Sequence, residues 1–167
     1  NRLAVDNGTS GQGDVTINSG GTLISANSGN GGNSVISRTG TTRSGTFTLL
    51  GTLQLSGTSP QIQVSSIVIA LNSTIEFNKA GSQNFLSFDA TQHPGAIAIP
   101  NYGSIILSNS GNKTPTGNFT ALNDFTISGT AILQMGTLTA TIGGNWTNYG
   151  TAGLTEANST INFNGSG

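Results

Sequence analysis

The chain is a succession of short runs of β-branched and aromatic residues, separated by Gly, Asn and Ser. Typical runs are Val15-Thr16-Ile17, Thr46 to Leu50, Ile67-Val68-Ile69 and Ile105-Ile106-Leu107. Such runs between turn-forming residues predict short β-strands joined by tight turns. No stretch combines a 3.6-residue period with capping residues, so we expect almost no helix.

The same pattern places the predicted strands every few residues along the whole chain. They are Val15–Ile17, Thr22–Ser25, Val35–Ser37, Thr46–Leu50, Thr52–Leu55, Ile62–Val64, Ile67–Ala70, Thr74–Phe77, Phe85–Phe88, Ala96–Ile99, Ser104–Leu107, Phe119–Ala121, Phe125–Ile127, Ala131–Gln134, Thr137–Ile142 and Thr160–Phe163. The four prolines all lie between these runs, where they remove no ladder hydrogen bond.

Two phrases recur at nearly the same offset. The segment Asn72–Asn78 (NSTIEFN) returns 86 residues later as Asn158–Asn164 (NSTINFN), and Gly51-Thr52-Leu53 returns as Gly136-Thr137-Leu138 at an offset of 85. Self-similarity of this kind indicates stacked repeats that contact mainly their neighbours. We therefore interpret the offset as a structural register copied along the chain.

These observations favour an all-β fold, a parallel β-solenoid (β-helix). If the offset contains four coils, each has roughly 21 residues, and the chain forms about eight coils in a rod of about 40 Å. Val, Ile, Leu and Phe would stack inside, and Gly and Asn would occupy the corners. A β-sandwich built from the same strands is the alternative, but it gives no reason for a phrase to recur.

We predict one solenoid segment over residues 1–167, cut from a longer protein. Residues 1–68 form less regular coils, and residues 69–167 form a clearer repeat with a looped excursion near 79–101. Uncapped ends would expose strand edges. The expected partners are therefore neighbouring coils of the same chain or copies that associate end to end.

The amino-acid composition argues against several classes of protein. Charged residues make up only 7% of the chain, but hydrophobic residues reach 34% and lie in runs, which argues against disorder. Five basic residues cannot form a surface that follows phosphates, so nucleic-acid binding is not expected. No apolar run approaches the ~18 residues that would span a bilayer. Cysteine is absent, which a solenoid tolerates because its stacked strands supply the stability.

Candidate catalytic and metal-binding groups are few. Glu76 and Glu156 belong to different repeats and do not occupy matching positions in them, so they do not suggest a catalytic pair of carboxylates. Asp89 and His93 are the acid and base closest in sequence, but a solvated loop is the simpler interpretation of that segment. His93 is the sole histidine, so a zinc site is not expected, and the calcium-binding nonapeptide pattern is missing. We therefore predict a protein that is not an enzyme and has no cofactor and no metal.

Three aromatic residues are the candidates for ligand binding. Trp146, Tyr149 and Tyr102 could stack on sugar rings if they are exposed, although Trp146 more simply packs at a coil corner. The run Thr137–Thr141 resembles an ice-binding row. Thr46 and Thr48 are its nearest companions, and no constant spacing separates the sets.

The second half of the chain carries a recognisable order of phrases. They are Tyr102–Thr114 (YGSIILSNSGNKT), Asp124–Gly129 (DFTISG), Gly136-Thr137-Leu138, Ile142–Gly150 (IGGNWTNYG) and Ser159–Gly165 (STINFNG). This order resembles the repeat of very large adhesin-like surface proteins of Bacteroidetes that the type IX system exports. The resemblance covers Ile99 to Gly167 well, and the stretch from Ile69 to Gln83 fits the end of a preceding repeat. Residues 1–60 are similar only in the general style of their sequence.

The resemblance implies a secreted protein at the bacterial cell surface, in which the repeat is scaffold and supplies no catalytic residues. The leading prediction is a structural or adhesive segment, a stiff rod for attachment or display. A carbohydrate-binding or carbohydrate-cleaving β-helix, with surface glycans as partners, is the second hypothesis. An ice-binding solenoid is the third.

Overall fold

The structure, a computed structural model, describes residues 3–4, 13–28, 34–37, 45–89, 96–151 and 153–165. Within these ranges the chain forms strands and turns but no helix. The strands are β1 (Leu3–Ala4), β2 (Val15–Ile17), β3 (Thr22–Ser25), β4 (Ile36–Ser37), β5 (Thr46–Leu49), β6 (Thr52–Leu55), β7 (Gln61–Ile62), β8 (Ser66–Ile69), β9 (Thr74–Phe77), β10 (Gln83–Asn84), β11 (Ser87–Asp89), β12 (Ala96–Ala98), β13 (Asn101–Tyr102), β14 (Ser104–Leu107), β15 (Ser110–Thr114), β16 (Phe119–Ala121), β17 (Phe125–Ile127), β18 (Thr130–Gly136), β19 (Thr139–Ile142), β20 (Trp146–Asn148), β21 (Gly153–Glu156) and β22 (Thr160–Phe163).

The strands stack as the successive coils of a parallel β-solenoid, which confirms the predicted fold class. Each coil has a central strand, and together the central strands form one six-stranded sheet in the order β20-β17-β14-β9-β6-β3. Leading strands precede the central strand in each coil and form the sheets β2-β5-β8 and β13-β16-β19-β22. Trailing strands follow it and form the sheets β1-β4-β7-β11-β12 and β10-β15-β18-β21.

Coil length is uneven, so the described chain makes fewer coils than predicted. The register of the central sheet pairs Thr22 with Thr52, Thr52 with Thr74 and Thr74 with Ser104, so the first and third coils are longer than the second. Ile105 then pairs with Phe125, and Phe125 with Trp146, which gives two short coils close to the predicted length. Six central strands make five turns, not eight, and span about 24 Å at the spacing of β-strands. A long coil therefore contributes one central strand, as a short coil does.

The recurring phrases do not mark equivalent positions in the coils, so that part of the interpretation was wrong. Asn72–Asn78 contains the central strand β9, whereas Asn158–Asn164 contains the leading strand β22. Likewise, Gly51-Thr52-Leu53 opens the central strand β6, whereas Gly136-Thr137-Leu138 spans the turn from β18 to β19. The same alternation of polar and apolar residues suits any face of the rod, so a phrase can recur on another face.

The core consists of columns of residues that are in register from coil to coil. One column in the central sheet is Leu53, Ile75, Ile105 and Phe125, all fully buried. The neighbouring column is Leu55, Phe77, Leu107 and Ile127, also fully buried. Inward and outward residues alternate along each strand, because successive side chains of a strand point to opposite faces.

The trailing strands divide in the third coil, which is one of the two long coils. The strand β10 pairs with β15 above it, whereas β11 pairs with β7 below it. The strand β12 then folds back antiparallel on β11, pairing Phe88 with Ile97. The looped excursion predicted near 79–101 falls on this division, and residues 90–95 of it lie outside the described residues.

Candidate functional site

Tyr102, one of the three candidate ligand-binding aromatics, lies inside the rod. Its side chain is 0% exposed, and its hydroxyl donates to the carbonyl oxygen of Leu86 at 3.3 Å. Phe77, Phe85 and Phe119 surround its ring edge-on, at centroid distances of 6.0 to 6.5 Å. Burial raises the pKa of the phenol well above its usual range. Tyr102 therefore lacks the exposure that stacking on a sugar requires.

Trp146 and Tyr149 lie at the last central strand. The ring of Trp146 stacks on that of its register partner Phe125, at 4.8 Å and an interplanar angle of 8°, and meets the ring of Phe163 edge-on at 6.1 Å. Trp146 is half-buried and extends the core. Tyr149 is 78% exposed, and its backbone N–H donates to the carbonyl oxygen of Ile127 at 2.8 Å. Of the three candidates, only Tyr149 presents a freely accessible ring.

Three described carboxylates join neighbouring coils. Asp14 accepts the backbone N–H of Thr46 at 2.7 Å, and Asp124 accepts that of Asn145 at 2.8 Å. Glu76 accepts hydrogen bonds from Gln54 at 3.0 Å and from Ser108 at 2.6 Å. Each bond runs between adjacent coils, so these carboxylates act as structural acceptors.

The described residues contain no group of three or more His, Cys, Asp or Glu side chains that could hold a metal ion. His93 and the side chain of Asp89 lie outside the described part, so their proposed pairing stays a hypothesis. An open depression of about 350 Å³ at the first coil is lined by the residues from Val15 to Ile17, Asn18 and the residues from Gly21 to Leu23, without a titratable side chain. Within the described ranges, no helix has the length and apolar character needed to cross a membrane.

Threonine columns on the leading strands are a feature that the sequence pattern missed. Outward positions on these strands are in register between coils, as in the pairs Thr16–Thr48, Thr46–Ser66, Thr120–Thr141 and Thr139–Thr160. The first pair is separated by a much longer stretch of chain than the other three. The three closer pairs follow the predicted coil length, whereas Thr16 and Thr48 face each other across a longer coil, so one constant spacing does not connect all of them.

The central sheet carries a further column of hydroxyl groups on its outer surface. Thr22, Thr52, Thr74 and Ser104 follow one another in four successive coils. Neighbouring hydroxyl groups in such a column are about 4.8 Å apart, and outward residues of one strand are about 6.6 Å apart. The second outward column of the same strands is Ile24, Gln54, Glu76 and Ile106, so hydroxyl groups form a single column on the central sheet.

Comparison with known proteins gives no match: no family model, no curated protein and no solved structure matches this chain.

Proposed function

We propose that this chain is a structural segment of a secreted bacterial surface protein, where it serves as a stiff rod for attachment or display. The observation that carries the proposal is the continuous central sheet, in which six parallel strands stack in register and the four inner strands carry fully buried columns. A shaft of this kind transmits force along its axis through backbone hydrogen bonds and apolar contacts.

The chemistry of the described surface supports a scaffold over an enzyme. Asp14, Glu76 and Asp124 each hold a neighbouring coil by a hydrogen bond, so their oxygens have structural partners. A glycosidase needs two carboxylates facing each other across a cleft. The secreted, cell-surface setting and its association with Bacteroidetes rest on the resemblance of the phrases from Tyr102 to Gly165.

Single-molecule pulling tests the mechanical role. The segment would be placed between two handles of known length and stretched in dilute and in concentrated salt. We expect cooperative unfolding in discrete steps, at forces that salt changes little, because few charges contribute to stability. Gradual extension at low force, or cleavage of a polysaccharide by the intact segment, would contradict the proposal.

Ice binding is the second candidate function, and the threonine columns favour it. The leading strand β19 presents Thr139 and Thr141 outward, in register with Thr160 and Thr120 in the adjoining coils. These four threonines form a patch of hydroxyl and methyl groups of the kind that can order water, and Asn162 is in register with Thr141 in the next coil. Partition of the protein into slowly growing ice would be measured for the wild type and for Thr141→Lys, with Thr52→Lys on the central sheet as matched control. Loss of partition in Thr141→Lys alone supports ice binding, and absence of partition in the wild type rejects it.

Glycan binding is tested with the exposed aromatic side chain. A glycan array would be probed with the wild type, with Tyr149→Ala and with Trp146→Ala. A specific signal that either substitution abolishes, while the melting temperature is unchanged, would replace the rod by a carbohydrate-binding β-helix as the leading function.

A further inference from the structure

Lys113 is a cation in the interior of the rod. Its side chain is 0% exposed, although it belongs to the trailing strand β15 and stacks between Gln83 in the coil below and Leu133 in the coil above. A buried ammonium group is costly unless acceptors replace its lost water. The acceptors around Lys113 therefore decide what this side chain does.

Three oxygens of the third coil surround the ammonium group. Lys113 Nζ donates to the carbonyl oxygen of Lys79, to that of Gly81 at 3.3 Å and to Oε1 of Gln83 at 3.3 Å. An ammonium group has three N–H donors and no acceptor. Its hydrogen-bonding capacity is therefore matched by the three oxygens.

Gln83 links this group to the second coil. Its Nε2 donates to the carbonyl oxygens of Leu55 at 2.7 Å and Gly57 at 2.9 Å, and its Oε1 also accepts the backbone N–H of Lys79 at 3.2 Å. The side chain of Gln83 thus uses both donors and both acceptor positions of its amide. Gln83 is itself buried.

The fourth coil holds the same turn from a second direction. The backbone N–H of Gly81 lies within hydrogen-bonding distance of the carbonyl oxygen of Ser110, at 3.2 Å, and of its hydroxyl, at 3.1 Å. The turn 78–82 joins the central strand β9 to β10, where the trailing strands divide. Polar contacts from the second, third and fourth coils therefore meet at the point where the rod changes its pairing.

We propose that the carbonyl oxygens of Lys79 and Gly81, with Oε1 of Gln83, form a built site for a monovalent ammonium-type cation, and that Lys113 fills it as a tethered ligand. The tethered cation fixes the turn 78–82 and so sets the register between the third and fourth coils. A site of this kind, emptied of its side chain, takes up a small free cation with the same donor geometry.

Chemical rescue tests the site. Lys113→Ala removes the ammonium group and its stem, whereas Lys113→Met removes the charge but keeps the volume. Near neutral pH we expect a melting temperature about 10 °C lower for Lys113→Ala, because removal of one partner leaves buried polar groups unpaired. Ammonium or propylammonium chloride should restore about half of that loss, relative to sodium chloride of the same ionic strength.

The two controls separate site occupancy from a general salt effect. Neither the wild type, whose site is filled, nor Lys113→Met, whose thioether occupies the space, should gain from ammonium. No ammonium-specific gain in Lys113→Ala, or an equal gain in all three proteins, would overturn the proposal. If Lys113→Ala does not fold without the added cation, the yield of refolded protein is compared between ammonium and sodium salt. A higher yield in ammonium supports the site, and equal yields overturn it.

Acetylation of the wild type gives an independent measurement. Lys79 is partly exposed and Lys113 is not, so an amine-reactive reagent should label Lys79 first in the folded protein, and both equally after denaturation. Equal rates of labelling in the folded protein would show that the ammonium group of Lys113 is not enclosed, and would reject the site.

Discussion

Truncation of Ile105 measures how much one inward residue contributes to the rod. Ile105 is fully buried in the central strand β14, between Ile75 in the coil below and Phe125 in the coil above. Ile105→Ala leaves a cavity that the two flanking coils cannot close, because their positions are fixed by the backbone ladder. Substitutions of this kind cost about 2 to 5 kcal/mol. For a protein of this size, we expect the melting temperature to fall by about 10 °C.

Ile106 is the matched control, since it is the next residue of the same strand and points outward. Its side chain is partly exposed, so Ile106→Ala should cost less than about 1 kcal/mol. Both variants would be measured by urea unfolding followed by circular dichroism. Equal losses for the two variants, or a larger loss for Ile106→Ala, would refute the inward orientation of Ile105 and the column to which it belongs.

Three further predictions concern the corners, the buried cation and the effect of salt. A methyl group at Gly103 would lie 2.5 Å from the carbonyl oxygen of Ala70 and closer still to that of Ser73. Gly103→Ala should therefore lower the free energy of unfolding by about 1 to 3 kcal/mol, whereas Ser104→Ala should change it little. Equal effects of the two substitutions in denaturant titrations would contradict this packing. Burial, with the neighbouring charge of Lys79, lowers the pKa of Lys113 from 10.5 to about 8, because the three oxygens replace only part of the hydration that the ammonium group loses; the group is still mostly charged at neutral pH. Between these two values the unfolded chain binds more protons than the folded protein, so stability should rise with pH relative to Lys113→Met, and the same slope in both proteins would refute the shift. Because charged residues are only 7% of the chain, the melting temperature should change by only a few degrees between dilute and concentrated sodium chloride. A large change would show that ion pairs stabilise the rod.

The apolar runs predicted most of the central and leading strands. Thr74–Phe77, Ser104–Leu107 and Phe125–Ile127 were predicted with the bounds that the structure shows. In these runs, burial and β-propensity act in the same direction, because every second side chain enters the core. Local sequence is sufficient where the inward residues are large and apolar.

The polar trailing strands could not be predicted in this way. The strand Ser110–Thr114 (SGNKT) contains no aliphatic residue, and the strand Gly153–Glu156 contains one, yet both are parallel strands in the ladder. Their conformation comes from hydrogen bonds to the coils on either side, which a single segment does not reveal. The apolar run Phe85–Phe88 was predicted as a strand, but Phe85 and Leu86 are buried residues of the corner between the strands Gln83–Asn84 and Ser87–Asp89. Here an apolar pair fills the core without forming a strand.

The candidate site was predicted less well than the fold. Tyr102 was chosen as an amphipathic aromatic residue, but the column of rings from Phe77 to Phe119 buries it. The threonine columns and the site of Lys113 both depend on which coils are neighbours. The predicted coil length applies only to the short coils; Thr16 with Thr48, and Gln83 with Lys113, are register partners across longer coils, so that spacing could not bring them together.

Cysteine crosslinking tests the parallel, in-register stacking most directly, because the chain has no cysteine of its own. Thr52 with Thr74, and Thr74 with Ser104, are outward register partners on adjacent coils, although they are far apart along the chain. Their Cα atoms should be about 4.8 Å apart, within the range that a disulfide can bridge. Each pair, replaced by cysteines, should crosslink under mild oxidation, whereas cysteines at Thr52 and Ser104, two coils apart, should not. Crosslinking of Thr52 with Ser104, and not of the two neighbouring pairs, would contradict the solenoid.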